Sequence, residues 1–144
     1  ALDVNEEKLS LAREVGAHHA FLSNADAADA IREAIGAPTV TAVFDFVAIQ
    51  PTIDLGASLL GIESDLVIVG VGAGALGVGM LARPYDATIR APYWGSRSEL
   101  IEVLELARSG AVHVETEQFS LDDAAEAYHR LHEGTLRGRA VVVP

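Results

Sequence analysis

The sequence predicts an α/β fold built on a parallel, doubly wound sheet. Three observations carry this expectation. Apolar runs of strand type alternate with helix-type segments of about ten residues, most of them closed by glycine. Residues 66–71, Leu-Val-Ile-Val-Gly-Val, are apolar almost without a break, as strands buried on both faces require. Half of the 144 residues are hydrophobic and mean hydropathy is +0.28, which suits a buried sheet covered by helices and not a disordered chain.

The elements follow in order. Apolar Leu2 precedes Asp3, and Asn5 then caps a helix whose first turn carries Glu6 and Glu7, where the helix dipole favours acids. Leu9, Ala12 and Val15 give it an apolar stripe and Gly16 ends it. Residues 18–22 form a short strand and Ser23-Asn24 a turn. Residues 26–35 form a second helix, closed by Gly36 and Pro38. Residues 40–47 (VTAVFDFV) are β-branched and aromatic, a buried strand. Residues 51–60 are a helix opened by Pro51 and closed by Gly61. The strand at 66–71 leads into a Gly/Ala loop at 72–79, and residues 87–93 form another strand. Ser96 stands three residues before Glu99, a capping-box spacing, and the helix runs to Arg108 before Gly110 stops it. Residues 112–119 are extended, 121–133 helical behind Asp122-Asp123, and 139–143 a final strand. The alternation weakens after Gly110, so the expected units are 1–110 and 111–144.

Composition excludes several functions. There are no cysteines, so this chain holds no disulfide and no thiolate metal site. Ten Lys/Arg face 21 Asp/Glu, a net charge of -11, which is the wrong sign for nucleic acid. The most apolar stretch, 66–82, carries five glycines and ends beside Arg83-Pro84, so no membrane span is expected. No basic segment followed by an apolar one of secretion-signal type is seen in these residues, and the expected location is the cytoplasm.

Asp3 points to a ligand. In a dinucleotide-binding sheet the second strand ends in an acid that accepts both hydroxyls of the adenosine ribose. Leu2-Asp3 has the form of that strand end, and a carboxylate there repels the extra phosphate of NADP, which favours NAD. The expected architecture is then an incomplete doubly wound (Rossmann) sheet without its first βα unit. Strands two and three lose the neighbour that links them to strands four to six. Residues 72–77, Gly-Ala-Gly-Ala-Leu-Gly, match G-x-G-x-x-G but are not read as the phosphate fingerprint. Pro84 stops any following helix, no strand ending in an acid lies about 20 residues on, and the preceding strand is not the first. A flexible loop bordering the ligand crevice is expected instead.

The order of segments resembles the C-terminal portion of zinc-dependent medium-chain alcohol dehydrogenases, of the bacterial NAD-dependent secondary alcohol type. Residues 1–20 (ALDVNEEKLSLAREVGAHHA), 41–54 (TAVFDFVAIQPTID), 91–110 (APYWGSRSELIEVLELARSG) and 136–144 (LRGRAVVVP) carry the resemblance by their order and spacing. The resemblance implies cofactor roles for Asp3 and Lys8 at the ribose. It implies that Phe46, Val47 and Ala48 line the cleft. It places Val69, Gly70 and Val71, with Pro92, Tyr93 and Trp94, at the nicotinamide carboxamide, and Arg139 at the pyrophosphate. It implies that residues 111–144 return to a catalytic domain, and that the strand at 87–93 pairs subunits into a homodimer or homotetramer. The substrate is a small alcohol or ketone. Zinc belongs to the intact enzyme, and none of the family's zinc ligands, nor any catalytic residue, can be matched here.

Glu126, His129, His132 and Glu133 lie close on one helix but mostly off its expected apolar stripe, Ala124, Ala125, Tyr128 and Leu131, so a solvated face is expected rather than a metal site. His18 and His19 are expected at the surface. Asp45, between Phe44 and Phe46, is expected to be structural rather than a catalytic acid. Arg97, at a helix start, is open to a contact with cofactor or a neighbouring subunit or to a surface role. Two further readings of the whole are a zinc-free quinone or enoyl reductase of the same superfamily and a non-enzymatic nucleotide-binding module.

Overall fold

The computed structural model describes residues 1–144. They form two compact units, Ala1–Trp94 and Gly95–Pro144.

The first unit contains β1 (Leu2–Asp3), α1 (Glu6–Glu14), β2 (Phe21–Leu22), α2 (Ala27–Ile35), β3 (Val40–Asp45), α3 (Gln50–Ser58), β4 (Leu60–Ile68) and β5 (Thr88–Arg90). Every strand pair is parallel: β1 with β2, and β3, β4 and β5 in that order. The two sheets are not hydrogen-bonded to each other, the break expected of a doubly wound sheet without its first βα unit. Local chemistry sets the helix ends. Asn5 Oδ1 accepts from the Glu7 and Lys8 backbone N–H groups at 2.8 and 3.4 Å. Gly36 closes α2 in the left-handed region at φ +65°, which glycine adopts without a β-carbon penalty. The largest fully buried side chains are Leu9, Ile53 and Leu66.

Several expected boundaries move. β4 begins at Leu60, not at residue 66, and α3 stops at Ser58. Gly61 is not a helix cap: its N–H donates to Ser64 Oγ at 2.9 Å, and that hydroxyl donates to the Val40 carbonyl at 2.6 Å. This bridge holds an irregular stretch inside the strand, with Glu63 at φ +60° and a register shift between Val40 and Ala42. β3 ends at Asp45, and it is not buried on both faces. Val43 lies against Gly56 of α3, whereas Phe44 is 61% exposed. The strands expected at 18–22 and 87–93 shrink to Phe21–Leu22 and Thr88–Arg90.

The second unit contains α4 (Arg97–Arg108), β6 (Thr116–Ser120), α5 (Ala124–Glu133) and β7 (Arg139–Val143). α4 opens with the expected capping box between Ser96 and Glu99. β6 and β7 are parallel, from Thr116↔Arg139 to Ser120↔Val143, with α5 as the crossover. The expected apolar stripe of α5 is corrected. Ala127 is buried, with Ala124 and Arg130 half-buried, while Ala125, Tyr128 and Leu131 are exposed. Arg130 explains the difference. Its guanidinium lies 5.6 Å from the Phe119 ring centroid, pairs with Glu117 at 2.7 Å and donates to the Thr135 carbonyl at 3.2 Å. No helix of the chain is long and apolar enough to cross a membrane.

Glu117 also accepts the Arg137 backbone N–H. That bond first, and the Arg130 side chain second, hold its carboxyl below the ordinary value of 4.5. A carboxyl lowered by folding contributes stability that is complete above its unfolded value and is lost as pH falls through the folded one. The stability difference between the native sequence and Glu117→Gln is therefore expected to shrink as pH falls below 4.5. Urea unfolding at a series of pH values checks this, and a difference that stays constant with pH contradicts it.

Candidate functional site

Parallel α/β sheets place ligands beyond the C-terminal ends of their strands. In the first unit the ends of β3 and β4 are tied together there by one buried residue. Asp45 is 6% exposed. Its Oδ1 accepts from the Val47 and Ala48 N–H groups at 2.9 and 2.8 Å, and its Oδ2 accepts from Thr52 Oγ1 at 2.8 Å. Its main-chain carbonyl accepts from the Val69 and Gly70 N–H groups at 2.7 and 2.9 Å. Asp45 thus ties the turn after β3, the first turn of α3 and the end of β4. Both of its carboxylate oxygens are engaged within the chain, in line with the structural role expected for it. The turn it holds puts Ala48 at φ +60°, a conformation that costs a non-glycine residue about 1 kcal/mol.

The segment after β4 forms no helix or strand, as expected of a loop, and its glycines lie against backbone. Glycine stands at every second position, and the structure shows why. A β-carbon at Gly70 would run into the Phe46–Val47 backbone, and one at Gly72 into the Ala48 carbonyl. One at Gly74 would lie 2.8 Å from the Ile49 carbonyl carbon and from Ile53 Cδ1. The Gly74 N–H donates to the Ala48 carbonyl at 2.9 Å. Residues 70–74 therefore run in extended form along residues 46–49, with the bare side of each alternate residue against the other backbone. Gly77, the last glycine of the apparent G-x-G-x-x-G, has open space around it, and no helix follows. The meaningful pattern is Gly70-x-Gly72-x-Gly74. Its sequence signal was a two-residue glycine period directly after a buried strand.

This contact joins two of the expected site segments: Phe46, Val47 and Ala48 lie beside Val69, Gly70 and Val71. Val71 is fully exposed, and its N–H and C=O pair with no group of the chain. Asp3 ends β1 on the other small sheet. Its Oδ1 accepts the Asn5 N–H at 2.9 Å, while Oδ2 has no hydrogen bond within the chain. Lys8 is exposed on α1. Pro92, Tyr93 and Trp94 follow β5, exposed, with the Tyr93 and Trp94 rings edge to face at 5.5 Å. Arg139 opens β7 in the second unit, where its N–H donates to the Glu115 carbonyl at 2.9 Å. Gln50, which the sequence reading passed over, reaches this region through Ala75.

No group of three His, Cys, Asp or Glu side chains is placed to hold a metal. On α5 His129 pairs only with Glu133, at 3.3 Å. His18, His19 and Arg97 are exposed.

A family model described as zinc-binding dehydrogenase matches residues 1–109. An NAD-dependent alcohol dehydrogenase of Sulfolobus acidocaldarius is 32% identical over 151 residues, covering 98% of this chain and 41% of that protein. An alcohol dehydrogenase of Moraxella sp. is 28% identical over 147 residues, covering 99% of this chain and 42% of that protein. The crystal structure of the alcohol dehydrogenase from the archaeon Aeropyrum pernix matches with a TM-score of 0.86 at 34% identity, over 100% of this chain and 42% of that one. The chain thus spans about two fifths of the length of each relative.

The Asp45 knot and the glycine period have measurable consequences. Asp45→Ala leaves the buried Ala48 N–H and its neighbour unpaired and is expected to cost about 3 kcal/mol. Asp45→Asn keeps an acceptor and is expected to cost about 1 kcal/mol. Gly72→Ala, which forces a methyl into backbone, is expected to cost about 2 kcal/mol, and Gly77→Ala almost nothing. Chemical unfolding followed by circular dichroism ranks the four, and equal losses for the two Asp45 variants would contradict the knot.

Proposed function

Because the chain belongs to the zinc-binding dehydrogenase family, we propose that it supplies the cofactor wall of an oxidoreductase that moves a hydride between NAD and an alcohol, a secondary alcohol in particular, or the matching ketone. The observation that carries this reading is the pairing of residues 46–48 with 69–71 at the ends of β3 and β4, which leaves the Val71 peptide free to meet a ligand. A relative carrying the NAD-dependent alcohol dehydrogenase name over 98% of the chain supports it.

The residues present fit NAD. The unpaired Asp3 Oδ2 suits a ribose diol, with Lys8 on the next helix as a second contact. A free peptide at Val71, between Val69 and Gly70 on one side and Gly72 on the other, offers a donor and an acceptor to a carboxamide. Phe46 and Val47 supply apolar surface beside it, and Pro92 and Trp94 are assigned to the same end of the cofactor. Arg139 is assigned to the pyrophosphate, for which a guanidinium fork is suited. NAD, when bound, accepts or returns the hydride. The chain's own residues bind, orient and exclude water.

Zinc does not fit this chain: there is no cysteine and no ligand cluster. Zinc enters the proposal only through ligands outside these 144 residues, and no step here passes through it. In the same reading residues 1–110 form the partial cofactor domain and residues 111–144 the C-terminal segment of the catalytic domain. The end of the family match at residue 109 supports that boundary. Subunits pair into a homodimer or homotetramer through the free edge of β5, which bonds only to β4. The enzyme works in the cytoplasm.

In the complete protein, NAD is expected to change Trp94 fluorescence, and NADP to do so more weakly. Asp3→Ser is expected to weaken NAD binding about tenfold and to narrow or reverse the preference over NADP. Steady-state KM values for both cofactors test this, and a preference unchanged by Asp3→Ser would overturn the role of Asp3. Stoichiometric zinc that supports activity separates this reading from a zinc-free quinone or enoyl reductase.

A further inference from the structure

We propose that Gln50 is a positioning residue of the cofactor cleft, whose side-chain amide clasps Ala75 and holds residues 70–75 in the one conformation that presents Val71 to the nicotinamide end of the cofactor. The inference rests on the NAD reading above and deepens it.

Gln50 opens α3, on the exposed side of the molecule. Its Oε1 accepts the Ala75 N–H at 3.0 Å, and its Nε2 donates to the Ala75 carbonyl at 3.1 Å. A primary amide carries a donor and an acceptor side by side, so it pairs with a peptide unit as a neighbouring strand would. The Nε2 group also donates to Asp54 Oδ1 at 2.8 Å, one helical turn on. A carboxylate can only accept, so Asp54 fixes which end of the amide is nitrogen and sets the pairing with Ala75.

The position of this clasp gives it its consequence. The front of the glycine segment is bonded to the Asp45 carbonyl through the Val69 and Gly70 N–H groups, and its middle to the Ala48 carbonyl through Gly74. Gln50 adds the last rung. Beyond Ala75 no backbone hydrogen bond joins the segment to residues 46–50. A chain with glycine at positions 70, 72 and 74 has more backbone freedom to lose than any other, so its rear end needs an anchor to stay in one conformation. Without the anchor, only a fraction of molecules presents residues 70–75 correctly, and apparent affinity falls by that fraction. The effect belongs to cofactor binding and not to the chemical step.

The test uses the complete protein, unaltered and as Gln50→Met and Gln50→Glu. Methionine keeps the length and loses both bonds to Ala75, while glutamate keeps an acceptor for the Ala75 N–H but loses the donor. Gln50→Met is expected to raise the dissociation constant for NADH about three- to tenfold and to leave kcat within about twofold, with Gln50→Glu, whose second oxygen would face the Asp54 carboxylate and the Ala75 carbonyl, raising it at least as much. Hydrogen exchange at the Gly74 and Ala75 amides is expected to speed up in Gln50→Met while the amides of β4 stay protected. This readout needs neither cofactor nor activity. Gln50 is exposed, so its loss leaves the core intact; should Gln50→Met not fold, Gln50→Glu carries the comparison. NADH binding by the unaltered protein with equal affinity in both variants overturns the inference alone, as does unchanged exchange at Ala75. No NADH binding by the unaltered protein overturns the functional reading and the inference with it.

Discussion

The carboxylate of Asp45 is the point on which the first unit turns. Three groups donate to it and two more donate to its main-chain carbonyl. These bonds do more than end β3. They fold residues 46–48 back through a left-handed alanine, start α3 at a set place, and bring the end of β4 within backbone contact of that turn. A buried carboxylate without partners would be strongly unfavourable, so the surrounding N–H and hydroxyl groups are as necessary to Asp45 as it is to them. Once the turn is set, the chain beyond β4 has nowhere to go but along it, and only glycine fits at each inward position. The glycine period is thus a consequence of the knot and not a separate motif.

That dependence explains what could and could not be read from the sequence. Parallel strands, helix starts at Asn5 and Ser96, and helix stops at Gly36 and Gly110 were legible because each is decided by a few adjacent residues. The break between the two small sheets was legible from Asp3, because strand order follows once the acid is assigned to a second strand. The start of β4 was not legible. Gly61 after an apolar run looks like a helix stop, and only the long-range bond from Ser64 to Val40 makes it part of a strand. The reason for the glycine spacing was hidden in the same way: its partners lie about twenty-five residues earlier, where no local rule reaches.

The second unit shows the limit of periodicity. Tyr128 and Leu131 carry the hydrophobic signal of α5, yet Ala127 is the residue that is buried. The inner face instead takes the aliphatic stem and planar head of Arg130 over Phe119, closed by Glu117. An arginine can lie against an aromatic ring and still satisfy its charge, which a hydropathy pattern scores as polar surface. Such a face is invisible until the acid and the ring on the facing strand are known.

Charge ties the composition to the proposed cofactor. With a net charge of -11, the chain repels any polyphosphate, and it repels NADP more than NAD because NADP carries an additional phosphate. In the proposed reading Asp3 acts in the same direction at short range, where a carboxylate accepts ribose hydroxyls but opposes a phosphate on one of them. The groups assigned to the rest of the cofactor in the first unit are mainly peptides and apolar side chains, which recognise neutral amide and aromatic surfaces without adding charge. In that reading, binding of an anionic dinucleotide to so acidic a chain rests, besides Lys8 and Arg139, on short neutral contacts held in fixed positions. Such contacts keep their value only if the backbone that makes them does not have to be ordered at the moment of binding. A segment made of alternate glycines meets that condition only because Asp45 holds its front and hydrogen bonds from Ala48 and Gln50 hold the remainder.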